Sequence, residues 1–234
     1  GVFKSVPCAL PDFTLDVAAL EKAIGPRTRV VLINSPNNPS GQVYAKSQLQ
    51  DLAAMLTAKS EEYGRPIFLV ADEPYRFLVF DGVEVPAVLP LYPYSLSVNS
   101  FSKNLSLAGE RVGYVALAPQ MPGKAELANA LVLTNRILGY VNAPAIGQML
   151  AQAALDSQVD VSVYAARRKA MAEVLSAAGY EFALPKGSFY FFPKAPGGND
   201  VAFVQRLLEE RVLAVPGSGF GFPGYFRLTF CIDE

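Results

Sequence analysis

Short apolar runs alternate with helical patterns along the first two thirds of the chain. The run from Arg29 to Asn34 is β-branched and ends in a loop rich in Pro, Asn and Gly, which indicates a buried parallel strand. Between residues 46 and 63, Leu and Ala recur at helical spacing and Gly64 follows, so this segment predicts a helix. The same reasoning predicts further strands at 67–71, 96–99 and 112–117, and further helices at 122–138, 143–155 and 160–178.

The pattern changes after Gly179. Short strands are predicted at 180–184, 188–192, 212–215 and 226–230, with one helix near 200–210. The chain therefore predicts an α/β unit with a mostly parallel sheet flanked by helices, followed by a smaller α+β unit. We place the division between residues 1–158 and 159–234.

Composition narrows the possible partners. Hydrophobic residues make up 51% and charged residues 18% of the chain, which is enough for a core and argues against disorder. The net charge is −1 and no Lys/Arg-rich run occurs, so we expect neither a nucleic acid nor a membrane as partner. Cys8 and Cys231 lie far apart and in no motif, which favours two reduced thiols in a cytoplasmic protein.

The absence of histidine limits the chemistry. The sequence contains no His, which removes a Ser-His-Asp triad, an imidazole base and a His-ligated metal. We therefore predict no metal site. Any proton transfer has to use Lys, Tyr, Asp, Glu or Cys.

Polar residues follow three of the predicted strands. Each group has an ordinary interpretation when taken alone: Asn-Pro-Ser-Gly is a turn, Asp after a strand is a helix cap, and Ser-x-x-Lys is weak and also occurs in serine acylases of the penicillin-binding type. The groups are Asn37 to Gly41, Asp72 to Tyr75, and Ser100 to Lys103 with Arg111 eight residues further on. Because ligands bind at the carboxyl ends of strands in open α/β sheets, together they predict a binding site.

The order of these motifs resembles the fold-type I aminotransferases, the aspartate-aminotransferase-like family of classes I and II. Residues 100–113 are similar to that family's cofactor-lysine signature nearly throughout, and the similarity continues through 187–190 and 226–230, so that it covers essentially the whole chain. The resemblance implies part of the large domain of a pyridoxal 5'-phosphate (PLP) enzyme plus a smaller C-terminal domain. It also implies a homodimer.

The resemblance implies a role for each residue around the PLP ring. Lys103 forms the Schiff base and serves as general base, Asp72 keeps the ring nitrogen protonated, and Tyr75 and Asn38 donate to the ring O3′. The residue types suit these roles, because a lysine amine adds to an aldehyde and a buried carboxylate stabilises a pyridinium. The implied reaction moves an amino group between an α-amino acid and a 2-keto acid.

Three further residues suit the binding of two anionic groups, the PLP phosphate and the substrate α-carboxylate. Ser100 and Arg111 match the family's phosphate contacts, and Arg227 matches its fork for the substrate α-carboxylate, to which Asn38 also contributes. A planar guanidinium binds a carboxylate with two parallel hydrogen bonds, which lysine does not reproduce. Tyr190 and Phe189 are predicted to belong to the small-domain core, and Glu73, Arg136 and Asn142 to be structural or solvated.

Two alternatives stay open at this point. The cofactor residues also suit a β-lyase or cyclising lyase of the same fold, or a non-catalytic sensing domain of a transcription regulator.

The family's chains are longer at the amino end and continue with a helix after the Arg227 strand. We therefore expect a piece of a longer protein, and expect the 234 residues alone to bind PLP poorly and not to transaminate.

Overall fold

The larger of two sheets carries the first four strands. The computed structural model describes residues 1–231. Strand order is β1-β2-β3-β4, with β1 and β2 parallel, β2 and β3 parallel, and β3 and β4 antiparallel. The strands are β1 Val30–Asn34, β2 Phe68–Asp72, β3 Ser95–Ser100 and β4 Gly113–Leu117. The predicted α/β class with a mostly parallel sheet is confirmed.

Helices flank this sheet and continue into the second unit. They are α1 Val17–Ala23, α2 Lys46–Glu62, α3 Phe101–Asn104, α4 Lys124–Ile137, α5 Ala145–Ala154, α6 Val161–Ala177 and α7 Asp200–Glu209. The predicted helices are confirmed, with ends that differ by a residue or two. The sequence patterns did not predict α1 and α3, which have 7 and 4 residues, because a stretch that short shows little periodicity. None of the helices within residues 1–231 is long and apolar enough to cross a bilayer.

Helix α2 forms the main core with β1 and β2. Leu52 and Leu56 on its inner face are 0% exposed and belong to one cluster with Val31, Ile33 and Leu69. Each such leucine contributes roughly 1.5–3 kcal/mol relative to exposure. After α2, Gly64 takes a φ of +64°, a left-handed conformation that glycine adopts without steric cost and that ends the helix.

Strand β1 is buried on one face only. Val31 and Ile33 are each 6% exposed, whereas Val30 is 50% and Leu32 60% exposed. The expectation of a buried parallel strand is therefore wrong for one face of β1, although the parallel pairing is correct. The reason is that α2 covers only one side of the sheet here, and no element within residues 1–231 covers Val30 and Leu32 on the other side.

The second sheet is small and antiparallel. It contains β5 Tyr190–Phe191, β6 Val215–Pro216 and β7 Phe226–Thr229 in the order β5-β7-β6. The strand predicted at 180–184 is wrong. Its apolar side chains do pack, since the Phe182 ring lies 5.3 Å from that of Phe191, but the Leu184 carbonyl accepts from Gln42 Nε2 at 3.0 Å and not from a strand partner. The division between residues 158 and 159 stays a prediction.

Arg168 on α6 joins the two units. Its Nη2 donates to both carboxylate oxygens of Asp81 at 2.9 and 2.8 Å, and its Nη1 donates to the Pro185 carbonyl at 2.9 Å. The guanidinium also lies 4.4 Å from the centroid of the Phe80 ring. An apolar cluster from both units lies beside it: Leu78, Phe80, Leu175, Phe191 and Phe230. A charge-assisted pair beside a shared core makes this contact between the units specific in orientation.

Asp200 fixes a loop that ends near the second sheet. Its side chain is at the start of α7, is 4% exposed, and accepts from the backbone N–H groups of Ser218 at 2.7 Å and Gly224 at 3.1 Å. The Ser218 bond lowers the pKa of Asp200 below its ordinary value, and Gly224 adds to this against the opposing effect of burial. The loop so held carries Phe220, whose ring packs on Arg227.

We expect Asp200→Ala to lower the free energy of unfolding by about 1–3 kcal/mol at pH 7, because two backbone N–H groups lose their acceptor. A carboxyl with a lowered native pKa stabilises the fold above its unfolded pKa of about 4, and this contribution is lost as pH falls through the native pKa. The difference between the two proteins should therefore shrink in acid. Urea unfolding at pH 7 and pH 3 measures it.

The matched control for this prediction is Asp51→Ala on the exposed side of α2. We expect it to change stability by no more than about 0.5 kcal/mol. Equal unfolding midpoints for the two variants at pH 7 would show that Asp200 does not hold the loop.

Candidate functional site

The carboxyl ends of β1, β2 and β3 lie at one edge of the larger sheet. Asn34 and Asp72 are the last residues of β1 and β2 and stand opposite each other in the parallel register. Ser100 ends β3, beside the β2 end that carries Asp72. Loops leaving β1 and β2 at this edge carry Asn38 and Tyr75, and the short helix α3 that follows β3 carries Lys103. Parallel pairing thus brings together residues that are far apart in sequence.

Asp72 is a half-buried carboxylate with one oxygen available. Its Oδ2 accepts from Asn34 Nδ2 at 3.0 Å, whereas its Oδ1 receives no hydrogen bond from residues 1–231. Burial raises the pKa of Asp72 above its ordinary value; the Asn34 bond opposes this shift and neighbouring Glu73 adds to it. Such a group suits a cationic N–H donor, which stabilises the charged form that burial disfavours.

Arg227 crosses from the second sheet to the loop after β1. Its Nη1 donates to Asn38 Oδ1 at 2.9 Å. The guanidinium lies 4.5 Å from the ring centroid of Tyr190 and 5.0 Å from that of Phe220, so two aromatic faces hold it. Its remaining N–H groups can form the paired contacts that a carboxylate accepts.

Tyr75 and Tyr190 form a second contact between the sheets. Their hydroxyls are 3.1 Å apart, and the residues are 4% and 7% exposed. Burial raises the pKa of Tyr75 well above its ordinary value, and the bond to Tyr190 adds to this shift against the opposing charge of Arg227. Tyr75 is consequently a neutral phenol at physiological pH and can donate a hydrogen bond.

Lys103 lies on the short helix α3 with a free amine. Ser100 begins this helix, and its Oγ accepts from Ser102 N at 3.2 Å. Lys103 Nζ lies 5.7 Å from the ring centroid of Phe189, whose ring is 5.3 Å from that of Tyr75. It has no hydrogen bond or ion pair with any residue in the described part of the chain. An amine without a carboxylate partner suits reaction with an aldehyde.

Pairing of β3 with β4 brings Ser100 beside the start of β4, two residues after Arg111. Ser100 is paired with Gly113, where an added Cβ would lie 2.5 Å from the Asn99 carbonyl, so only glycine permits this approach. Arg111 takes a φ of 55°, and its Nη1 donates to the Ala108 carbonyl at 2.9 Å within its own loop. No hydrogen bond joins the side chains of Ser100 and Arg111 in the described part of the chain, and their phosphate role stays a prediction.

Two residues of this site were not among the predicted ones. The sequence pattern predicts Asn34 only as the end of a strand, although an asparagine at the carboxyl end of a predicted parallel strand is itself a signal. It predicts Tyr190 as part of the small-domain core. Tyr190 is indeed buried, but its hydroxyl reaches Tyr75 and its ring faces Arg227, contacts that no sequence pattern encodes. Glu73 is buried and structural, binding Ser97 Oγ at 2.6 Å and Arg76 at 3.0 Å.

Comparisons with known proteins place this chain in a family. The family model described as "Aminotransferase class I and II" matches residues 1–234. The chain is 30% identical over 249 residues to a probable aspartate/prephenate aminotransferase of Aquifex aeolicus, covering 99% of this chain and 61% of the relative. It is 33% identical to an aspartate aminotransferase of Thermotoga maritima, covering 94% of this chain and 56% of the relative.

Solved structures agree with these relatives. A crystal structure of an aminotransferase from Eubacterium rectale superposes with a TM-score of 0.92 at 44% identity, covering 97% of this chain and 57% of that one. A variant of aspartate aminotransferase from Thermus thermophilus gives a TM-score of 0.83 at 30% identity, covering 95% and 60%. The chain thus spans less than two thirds of the length of the proteins it matches.

The contact between Tyr75 and Tyr190 yields a prediction about stability. We expect Tyr75→Phe and Tyr190→Phe to be non-additive in unfolding free energy by about 0.5–1.5 kcal/mol, because either substitution removes the same hydrogen bond. Chemical denaturation of the two single variants and the double variant measures this coupling. In the control cycle Tyr75→Phe is combined with Tyr180→Phe and should be additive; additivity in both cycles would mean that the hydroxyls do not interact.

Proposed function

The chain belongs to the family of class I and II aminotransferases, and we propose that the protein is a PLP-dependent aminotransferase that moves an amino group between an α-amino acid and a 2-keto acid. One observation carries the proposal. Hydrogen bonds run without a break from Asp72 through Asn34 and Asn38 to Arg227, and so link a carboxylate suited to the cofactor ring with a guanidinium suited to the substrate.

The residues fit PLP by their donors and acceptors. Asp72 Oδ1 and the Lys103 amine have no hydrogen-bond partner in the part of the chain that the structure describes, so the first can accept from the ring nitrogen and the second can react with the aldehyde. The neutral Tyr75 hydroxyl and the Asn38 amide can donate to O3′. Ser100 and Arg111 would hold the phosphate from the β3–β4 end of the sheet. When bound, PLP supplies an electron sink for the bond that breaks at the substrate Cα.

Lys103 and Arg227 act on different parts of the substrate. Arg227 binds the α-carboxylate, and the rings of Tyr190 and Phe220, 4.5 and 5.0 Å away, restrict the orientation of its planar guanidinium. An amino acid held there presents its Cα to the Lys103 amine, which would take the Cα proton as general base and then, as general acid, deliver it to the C4′ position of PLP and not back to Cα. A lysine suits this role in a chain without histidine.

Several features of the whole protein are proposals on the same footing. We propose a homodimer, which the exposed apolar side chains of Ile137, Tyr140 and Met149 on and beside α4 and α5 support. We propose a cytoplasmic location, which the unpaired Cys8 and Cys231 support. We also keep the division into a cofactor domain, 1–158, and a small domain, 159–234.

The proposed role of Lys103 has a direct chemical test. Borohydride reduction of the complete protein mixed with PLP should fix the cofactor to Lys103, because its amine has no competing partner among residues 1–231. Mass spectrometry of the digested protein locates the label. Lys103→Ala should abolish it, while the control Lys169→Ala, on the exposed side of α6, should retain it; a label that maps to another lysine in the unaltered protein would contradict the assignment.

The proposed role of Arg227 concerns the substrate and not PLP. Arg227→Ala should lower kcat/KM for amino acids by about 10- to 100-fold, the effect of losing a charge-assisted pair, mainly through KM. Arg227→Lys should recover little of this, because an ammonium lacks the fork. Arg206→Ala on the exposed side of α7 is the control. Loss of PLP with unchanged amino-acid kinetics in the remaining holoenzyme would refute the role.

A further inference from the structure

Asn34 uses both ends of its amide to join two residues of the proposed cofactor site. Its Nδ2 donates to the Asp72 carbonyl and to Asp72 Oδ2, both at 3.0 Å. Its Oδ1 accepts from the backbone N–H of Asn38 at 2.7 Å. A carboxylate could not donate to Asp72, and an apolar side chain could neither donate nor accept, so the position needs an amide of this length.

An asparagine after a strand often does no more than stabilise a turn. Asn37 is of that kind, because its Oδ1 accepts from Ser40 N at 3.0 Å and Ser40 Oγ at 2.7 Å within the same loop. Asn34 differs, since its amide reaches Asp72 on the neighbouring strand while also holding the loop that carries Asn38. It therefore connects two strands' ends and does not close a local turn.

We propose that Asn34 is a positioning residue that orients the Asp72 carboxylate and the Asn38 loop toward the PLP ring. The inference rests on the proposed function, because it assumes that Asp72 and Asn38 face the cofactor. Asn38 in turn accepts from Arg227, so Asn34 also anchors the loop against which the substrate-binding guanidinium is held. The Asn34 amide thus orients both the carboxylate that would face the cofactor and the loop that contacts the substrate-binding Arg227.

The electrostatics agree with this geometry. Burial raises the pKa of Asp72 and the Asn34 hydrogen bond is the effect that opposes it. Two other titratable groups interact with the carboxyl: Glu73 adds to the increase in the pKa of Asp72, and Asp72 in turn raises the pKa of Tyr75. Without Asn34 the carboxyl should keep its proton to higher pH and lose its attraction for the ring N–H.

The test measures PLP affinity against pH in the complete protein by absorbance titration. Asn34→Ala and Asn34→Asp should both weaken PLP binding at neutral pH by about tenfold, the effect of one charge-assisted hydrogen bond. In both variants the fall in affinity on acidification should begin at higher pH than in the wild type. The shift should be larger for Asn34→Asp, because two adjacent carboxylates cannot both ionise readily.

Controls separate positioning from general stability. Asn199→Ala removes another asparagine side chain with a structural bond, the cap that accepts from Ala202 N at the start of α7, and should leave PLP affinity and its pH dependence unchanged. The Asn34→Ala loss should be smaller in an Asp72→Asn background than in the wild type, and its pH shift should vanish there. If Asn34→Ala does not fold, Asn34→Asp, which has the same size, decides.

The outcomes distinguish this inference from the proposed function. If Asp72→Asn leaves PLP affinity and its pH dependence unchanged, Asp72 does not face the ring and the proposed function fails with it. If Asp72→Asn weakens PLP binding but both Asn34 variants behave like Asn199→Ala, the proposed function stands and the positioning role is overturned. Equal losses from Asn34→Ala in both backgrounds would also overturn it, since Asn34 would then act independently of Asp72.

Discussion

The parallel pairing of β1 with β2 is the constraint on which the candidate site depends. Parallel strands have their carboxyl ends at the same edge, and the observed register sets Asn34 directly opposite Asp72. A shift of one residue would turn the Asn34 side chain to the other face of the sheet and break its bonds to Asp72. The apolar core between α2 and these strands, with Leu52 and Leu56 fully buried, holds the register.

The second requirement is that the small sheet stays in place against the large one. Three polar contacts join the units: Arg227 with Asn38, Tyr75 with Tyr190, and Arg168 with Asp81. The apolar cluster that both units share supports them. Two of the three lie in the candidate site itself. Movement of the small unit would therefore change the position of Arg227 relative to Asp72, which links domain geometry to substrate binding in the proposed reaction.

Polarity is distributed unevenly around the site. Within residues 1–231, Asp72 Oδ1 accepts no hydrogen bond and the Lys103 amine has no hydrogen bond or ion pair, and the rings that hold Arg227 leave part of its fork open. The two carboxylate oxygens of buried Glu73, by contrast, bind Ser97 and Arg76. Neighbouring acidic residues at the end of β2 thus have different surroundings. Glu73 stabilises the turn after β2, whereas Asp72 suits a ligand. Their adjacent positions in the sequence do not reveal this difference.

Elements with a strong hydrophobic period and residues with distinctive chemistry can be predicted from the amino-acid pattern alone. The long helices and the four strands of the larger sheet follow from apolar spacing, and the motif order around Asn38, Asp72 and Lys103 indicates the family. Where the period is weak the prediction failed, as for α1, or for residues 180–184, whose aromatic side chains pack without a strand ladder.

Which of these residues touch each other depends on how the folded chain brings the strands and loops together. The side chains of Asn34 and Tyr190 look ordinary in the sequence, because their partners lie 38 and 115 residues away. The hydrophobic pattern of β1 likewise does not show that one of its faces is exposed, because hydrophobicity reports what environment a residue prefers and not what covers it. A hydrogen bond forms only when donor and acceptor come within about 2.7–3.2 Å of each other, and that separation is set by strand register and by the packing of the whole chain.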